Sequence, residues 1–394
     1  MLNQTLIGLT LRGIAGLSPY LSQQRSVALL NSHLYESITS FSYNVNHLYV
    51  RGSSFCNFLD SPISIQRKEG IHLYNKHYEA RPEQPAIGDH IDIQDAYFYK
   101  CISRSDGGAI NYFSPDSGTL SVQQTTFLQC HSGPNPTDGG CIAFNGLKSI
   151  IQTSCASQCS AGRNGHSYSI TICANGGSTS KSLNHFNQST IIECSPKESA
   201  RGWQSLFLSY GQIRIVDMNS SFNAVATQAG SFMMHTIDSD AICLHSTIMY
   251  NIGPWIIYLY GKDGSLMEQC NIVSNICASK DQNGIVMFHK FGRIDSCIFA
   301  NNQGRIFKQN RQKATIDVSN SVFDCVFDHE PGVQTSNCLF EQPNVQTYVL
   351  AHLKTHLCQA KRDAIANPIG TNEIFARLKL YFHEQAKSIL KWIK

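Results

Sequence analysis

The chain has 394 residues, of which 42% are hydrophobic and 15% charged, and its net charge is +3. That apolar share fits a folded chain and excludes a disordered one. No Lys/Arg cluster before the C-terminal tail forms the basic stripe of a nucleic-acid binder, so nucleic acid is not an expected partner. Cysteine is abundant at 15 residues, yet no Cys-x-x-Cys occurs. A zinc frame is therefore not expected, and the plain reading is that Cys serves as a small buried hydrophobe.

At the N-terminus, Arg12 and Gly13 interrupt the apolar residues and no Lys or Arg precedes them. No secretory signal is expected. No apolar run reaches the ~18 residues of a membrane span. Asn3, Asn187 and Asn219 begin Asn-x-Ser/Thr sequences, a number near chance in an Asn-rich chain.

A repeat then sets the organisation. The motif [Phe/Ile/Val]-x-x-[Cys/Asn] first shows in FCNF at 55–58. It places its fourth residue at Cys101 (FYKC, from Phe98), Cys130 (FLQC, from Phe127), Cys159, Cys194, Asn251, Asn275, Asn301 and Cys325. Ala156 takes the aromatic slot before Cys159, and FNAV at 222–225 is a weaker copy. The spacing drifts between 24 and 35 residues, which excludes a rigid helical-hairpin repeat and suits coils with loops of variable length. Each unit runs from an alternating segment such as LSVQQTTF, through a polar bend, to a second apolar segment such as GGAINYF. Alternation with β-branched residues reads as strand. Short strands in units of this length predict a parallel β-helix of about ten or more coils over 1–344, an all-β class.

The chemistry of the motif follows. The Phe or Ile points into the coil and stacks on its equivalents. The Cys or Asn fits a tight corner, where Asn tolerates left-handed geometry and ladders its amide. Gly107–Gly108 and Gly139–Gly140 supply positive φ at a bend. Asp106 and Asp138 beside them read as turn residues, with Ca²⁺ ligation the weaker alternative. Cys101, Cys130 and Cys159 would stack close enough to bridge, but a flat ladder rarely meets disulfide geometry, so mostly free thiols are predicted.

These repeats resemble the right-handed parallel β-helix superfamily to which pectate lyases belong. GGAI, GGCI, IMYN, IVSN and IFAN look like the repeats of chlamydial polymorphic membrane proteins and of related Cys-rich surface proteins in trichomonad protists. The resemblance spans roughly residues 45–340. It implies a surface adhesin or scaffold binding a macromolecular partner or surface glycan, with a cell-surface location and no catalysis.

The enzymatic alternative is a polysaccharide lyase or glycoside hydrolase. Asp238 and Asp240 alternate in TIDSDAICLHS and would share one strand face as an acid/base pair. Arg214 or Arg293 would stabilise charge. The faint likeness of this segment to polygalacturonases fails downstream, where the required Gly-His-Gly and Arg-Ile-Lys do not follow. No phosphate loop, nucleophile elbow or HExxH occurs, and neither cofactor nor metal is implied.

Two segments break the rhythm. Residues 66–90 are charged, contain Pro82 and Pro85, and read as a loop inserted between coils, a common place for binding. Residues 345–394 read as a helical cap or tail. Over 371–394, Ile374, Phe375, Leu378, Tyr381, Phe382, Ile389, Trp392 and Ile393 share one helical face and a mostly basic face opposes it. The helix either caps the last coil, around Val322, Phe323, Phe327, Leu339 and Phe340, or contacts a membrane surface or partner through Phe375, Phe382 and Trp392. The cap is the preferred reading.

Overall fold

The computed structural model describes residues 3–12, 26–37, 42–43, 46–66, 89–115, 117–133, 138–162, 168–172, 182–194, 204–236, 241–261, 264–278, 283–310, 314–326 and 330–343. Within them the chain forms a parallel β-helix. Two thirteen-stranded sheets, here A and B, and a ten-stranded sheet C run along its length, and each strand pairs with its counterpart one coil away. Thirteen strands at ~4.8 Å make each long sheet about 58 Å from end to end.

Sheet A strands are mostly five residues with alternate residues buried, as in Ser26–Leu30 and Thr119–Gln123. Sheet B strands are three residues or fewer, and the middle residue of a triplet such as Tyr97–Tyr99 points inward. Phe55, Phe98 and Phe127 are fully buried and stack face to face, with centroids 4.8 and 5.1 Å apart. Ala156 and Ser220 continue that column as small residues. Beside Ser220 a hydroxyl bond from Ser231 at 2.7 Å fills the gap.

Two corners on either side of each sheet B strand have constant length. At both, one residue adopts a left-handed conformation. Asp95, Gln124, Thr153 and Gln188 do so at the first corner and Lys100, Gln129, Gln158 and Glu193 at the second, with φ between +47° and +55°. The residue after it is small and faces inward. At the second corner this residue forms a ladder from Cys101 through Cys130, Cys159, Cys194, Asn223, Asn251 and Asn275 to Asn302.

From Cys130 to Asn275, each ladder residue's N–H donates to the side chain one coil on. It reaches sulfur at 3.3–3.4 Å for Cys130→Cys159 and Cys159→Cys194. It reaches amide oxygen at 2.9–3.0 Å for Cys194→Asn223 and onward. Each side chain in turn donates to a sheet B carbonyl: Cys159 Sγ to Phe127 O at 3.5 Å, and Asn251 Nδ2 to Ser220 O at 2.8 Å. Thiol and amide thus do the same work, satisfying a buried N–H that has turned out of the sheet.

The first corner carries a second ladder that sequence reasoning missed. Ser32, Ser53, Ser189, Ser246 and Ser321 each accept the N–H of the corner residue in the preceding coil and donate their hydroxyl to the carbonyl two residues back. It sits five residues before the first, so Ser154 precedes Cys159 and Ser246 precedes Asn251. The drift in period, 24 residues between Asn251 and Asn275 but 35 between Cys159 and Cys194, therefore falls in the connections to and from sheet C.

Four expectations need correction. The ladder passes through Asn302, because Ile272 pairs with Phe299 and not with Ile298; Asn301 is the left-handed residue before it, at φ +54°. Cys325 is likewise one residue short of the ladder position and is exposed. In FNAV the ladder residue is Asn223, not Val225. Only the first glycine of each pair has positive φ, +67° at both Gly107 and Gly139. Gly108 is required by space instead, since a Cβ there would lie 2.1 Å from the Gly140 carbonyl oxygen. Asp106 does turn work: its Oδ1 accepts the Asp138 N–H at 2.8 Å.

Gln66 ends a sheet C strand and His90 begins a sheet A strand, so the inserted segment is confined between them. Residues 67–88 and the helices expected within 345–394 lie outside the described residues. Leu339 and Phe340 are 54% and 46% exposed, and the cap expected over them falls within the residues not described. Among the described residues no helix is long and apolar enough to cross a membrane. Asn219 is buried, which withholds that sequon from a glycosyltransferase in the folded chain.

Twelve described cysteines are free, ten of them buried, and Cys155 is disulfide-bonded. Native, unreduced protein should react with a thiol reagent at Cys325 and slowly at Cys338, and unfolding should release at least ten more groups. Detection of only one or two thiols after unfolding would contradict this arrangement. The ladder makes a second prediction. Asn251→Ala strands the Asn223 N–H and should cost about 2–4 kcal/mol in denaturant unfolding, whereas Cys159→Ser keeps both donor and acceptor and should stay within about 1 kcal/mol. Equal losses would show that packing, not the ladder, holds this corner.

Candidate functional site

The outer face of sheet A presents three registered rows of side chains. Near the N-terminal end a step forms, because small residues give way to large ones from one strand to the next. Ser26 and Ala28 lie beside His47 and Tyr49, which lie beside His90 and Asp92. These six residues, with Thr5 and the adjoining backbone, line a hollow of about 270 Å³.

The hydrogen bonds around His90 fix its chemistry. Thr119 Oγ1 donates to the Asp89 carbonyl at 3.1 Å. Its only hydrogen is thereby used, so the 2.7 Å contact with His90 Nδ1 must be donated by the imidazole. The proton sits on Nδ1 and Nε2 is left as an acceptor. Burial holds the ring's pKa below the usual imidazole range; the Asp92 charge opposes this, while His47 and Lys148 reinforce it. His90 is therefore neutral at pH 7. Asp92 Oδ2 accepts a 3.3 Å bond from Gln94, and its Oδ1 is buried with no hydrogen-bond partner among the described residues.

Around the first corner, on the same coils, sheet B turns aromatic side chains outward. Tyr97 and Tyr99 stack with centroids 6.1 Å apart, His33 and Tyr35 at 6.3 Å, and Lys100 Nζ lies 4.9 Å from the Tyr99 ring centre. Sheet C has a second aromatic group, in which Tyr260 stacks on His289 at 4.0 Å. There Tyr258 and His289 are 8% and 4% exposed, so this is closed packing and not open surface.

The residues of the enzymatic alternative are not brought together among the described ones. Asp238 and Asp240 lie outside the described residues. Arg214 and Arg293 share one row of sheet A but are three ladder steps apart, about 14 Å. Arg293 instead neighbours Asp295 at 3.9 Å and pairs in register with Asp317. Asp295 accepts from Ser319, from Asn320 at 2.9 Å and from Ser296 at 3.1 Å. These bonds, the Ser319 hydroxyl first, hold its carboxyl below the ordinary range. It is an ionised acceptor, unsuited to donating a proton.

The structural repeat residues Phe98, Cys101, Phe127, Cys130, Cys159, Cys194, Asn251 and Asn275 all lie in the interior and offer a ligand nothing. Phe375, Phe382 and Trp392 lie outside the described residues. The hollow was not legible in the sequence because His47 and the His90–Asp92 pair come from separate strands more than forty residues apart; the strict alternation of HLYVR and HIDIQ was the available signal. No described group of three or more His, Cys, Asp or Glu is placed to hold a metal ion. No protein-family model, curated protein or solved structure matches the chain.

Proposed function

We propose that this chain is a non-enzymatic β-helix scaffold, adhesin-like in character, that holds a macromolecular partner or surface glycan on a lateral face. The observation that carries this reading is the outer face of sheet A. It offers in-register rows about 58 Å long that end in a hollow lined by polar side chains. A face of that length suits an extended ligand and broad contacts. The sequence reads as carrying an insertion just before Asp89 and His90, and insertions in a repetitive scaffold are a usual location for recognition. The likeness of GGAI, GGCI and IVSN to repeats of chlamydial polymorphic membrane proteins supports the same reading, as does the buried role of the motif residues.

The test pairs binding with turnover. The full chain is applied to an array of neutral, acidic and sulfated glycans and incubated with the same glycans in solution. Binding without release of reducing ends or unsaturated products is expected. A blank array, or product release above the no-protein control, would overturn the proposal.

A further inference from the structure

The basic side chains on the outer face of sheet A follow one track, and the inference from it rests on the glycan-binding reading above. His47, His90, Thr119 and Lys148 occupy one registered row on four consecutive strands. His185 and Arg214 carry the line across the next two strands in the neighbouring row. Six adjacent strands at ~4.8 Å make a track about 24 Å long. Lys148 and Arg214 are exposed, and neither makes an ion pair among the described residues. The sole carboxylate among the outward residues of these strands is Asp92, whose Oδ1 is buried. Arg51 is the remaining outward cation and lies 3.9 Å from Asp95.

His90 and His185 make the charge of this track depend on pH. Burial holds both below the usual imidazole range. At His90 the Asp92 charge opposes this, while His47 and Lys148 add to it; at His185 Arg214 and Lys148 add to it. His90 faces His47 and Tyr49 on the preceding strand, Asp92 on its own and no charged group on the following one. His185 faces no carboxylate on its own strand or on either neighbour. Both rings are neutral at pH 7 and take up protons as the pH falls. An anion laid across Lys148 and Arg214 offsets the charges that disfavour the His185 imidazolium. Binding is therefore coupled to proton uptake and strengthens on acidification.

Other ligands use the track less fully. A neutral glycan gains nothing from its cations. A small anion meets only Lys148, His185 and Arg214, whereas a chain meets the whole track. The ~4.8 Å step between strands is close to the rise of one residue in an extended polysaccharide. Single-stranded nucleic acid has the charge, but Ile150, Leu183 and Val216 beside the cations give its bases no aromatic ring to stack on.

We infer that an acidic polysaccharide lies along this track, its carboxylate or sulfate groups paired with Lys148, His185 and Arg214, and that mild acidification tightens the complex.

Isothermal titration of the full chain at about pH 7.5 and about pH 5.5, a range that spans imidazole titration, tests this. The probes are polygalacturonate, dextran sulfate, unmodified dextran and single-stranded oligothymidylate. Both acidic glycans stay ionised across the range, so a change in affinity belongs to the protein. At least one of them should bind, about tenfold or more tightly at the lower pH. Dextran should not bind, and the oligonucleotide should bind more weakly. A response to polygalacturonate alone assigns carboxylate, and one to dextran sulfate alone assigns sulfate. The double variant Lys148→Gln, Arg214→Gln should weaken binding at least tenfold at either pH. The double variant His90→Gln, His185→Gln should remove most of the pH dependence while leaving affinity at the higher pH within about twofold. Lys100→Gln, which removes a like charge at the second corner, should change neither. Thermal melts establish that each variant is folded. Equal affinity at the two pH values, or binding indifferent to loss of Lys148 and Arg214, would overturn the track. Tighter binding of the oligonucleotide would overturn the ligand class. Silence toward both acidic glycans, beside neutral glycans bound on the array, would overturn the track alone; a blank array would remove the reading it rests on.

Discussion

A coil that turns twice within ten residues must place backbone N–H groups where no strand can pair them, and the fold depends on how those groups are satisfied. In most described coils both corners answer with one left-handed residue followed by one small inward polar residue; Phe58, Ala96 and Met218 take that inward place in the others. At the second corner Asn tolerates burial because its amide is engaged on both sides, and Cys achieves the same with a thiol that accepts one N–H and points its hydrogen at a carbonyl. The left-handed residues themselves are strained. Thr153 is β-branched, and Phe222 and Tyr250 are aromatic, yet all three have φ above +50°. A cost of about 1–2 kcal/mol at each such residue persists because its own N–H bonds to the next coil, as Thr153 N does to Asn187 O at 3.0 Å. Stacking of Phe222 on Tyr250, centroids 4.9 Å apart, recovers part of it outside the core.

This arrangement explains the cysteine content without invoking redox chemistry or metal. Burial is the largest influence on the Cys101, Cys159 and Cys297 thiols and pushes them well above the ordinary range; Cys141 is pushed up to about 12 by the same cause. Thiols so placed stay protonated, and a protonated thiol is what the ladder needs, since only that form donates. Cys155 stands apart. Its neighbour Ala156 faces inward, so Cys155 projects from the outer side of sheet B, and it is this outward cysteine that forms a disulfide. Cys56 stands in the same outward position beside inward Phe55 and is free, so orientation alone does not set which cysteine is cross-linked.

The architecture was readable from sequence because its period is enforced by chemistry: FYKC, FLQC and IVSN each carry an inward core residue and a ladder residue at fixed separation. The reading slipped by one residue at IFAN and VFDC because the hydrophobic position was matched to Ile298 and Val322, where Phe299 and Phe323 are the true core residues. The five-residue spacing between ladders would have settled it. Cys297 at the first corner places the second at Asn302. The hollow was less readable. Its residues come from separate coils, and its shape comes from a change in side-chain size between strands, which no local motif records.

Position along the stack also decides what each part of the surface can do. Near the N-terminal end the steps from Ala28 to Tyr49 and from Ser26 to His47 are abrupt. A small residue also lies beside a large one further along sheet A, where Ser121 pairs in register with Ile150. A constant corner on one side and variable connections on the other let such local changes occur without disturbing the ladder. Val50, Ile91 and Ile93, directly beneath the hollow's outward residues, are fully buried. The outer surface of sheet A thus varies on a core whose own geometry does not, and a substitution at Asp92 or Ser26 should change that surface before it changes whether the coil forms.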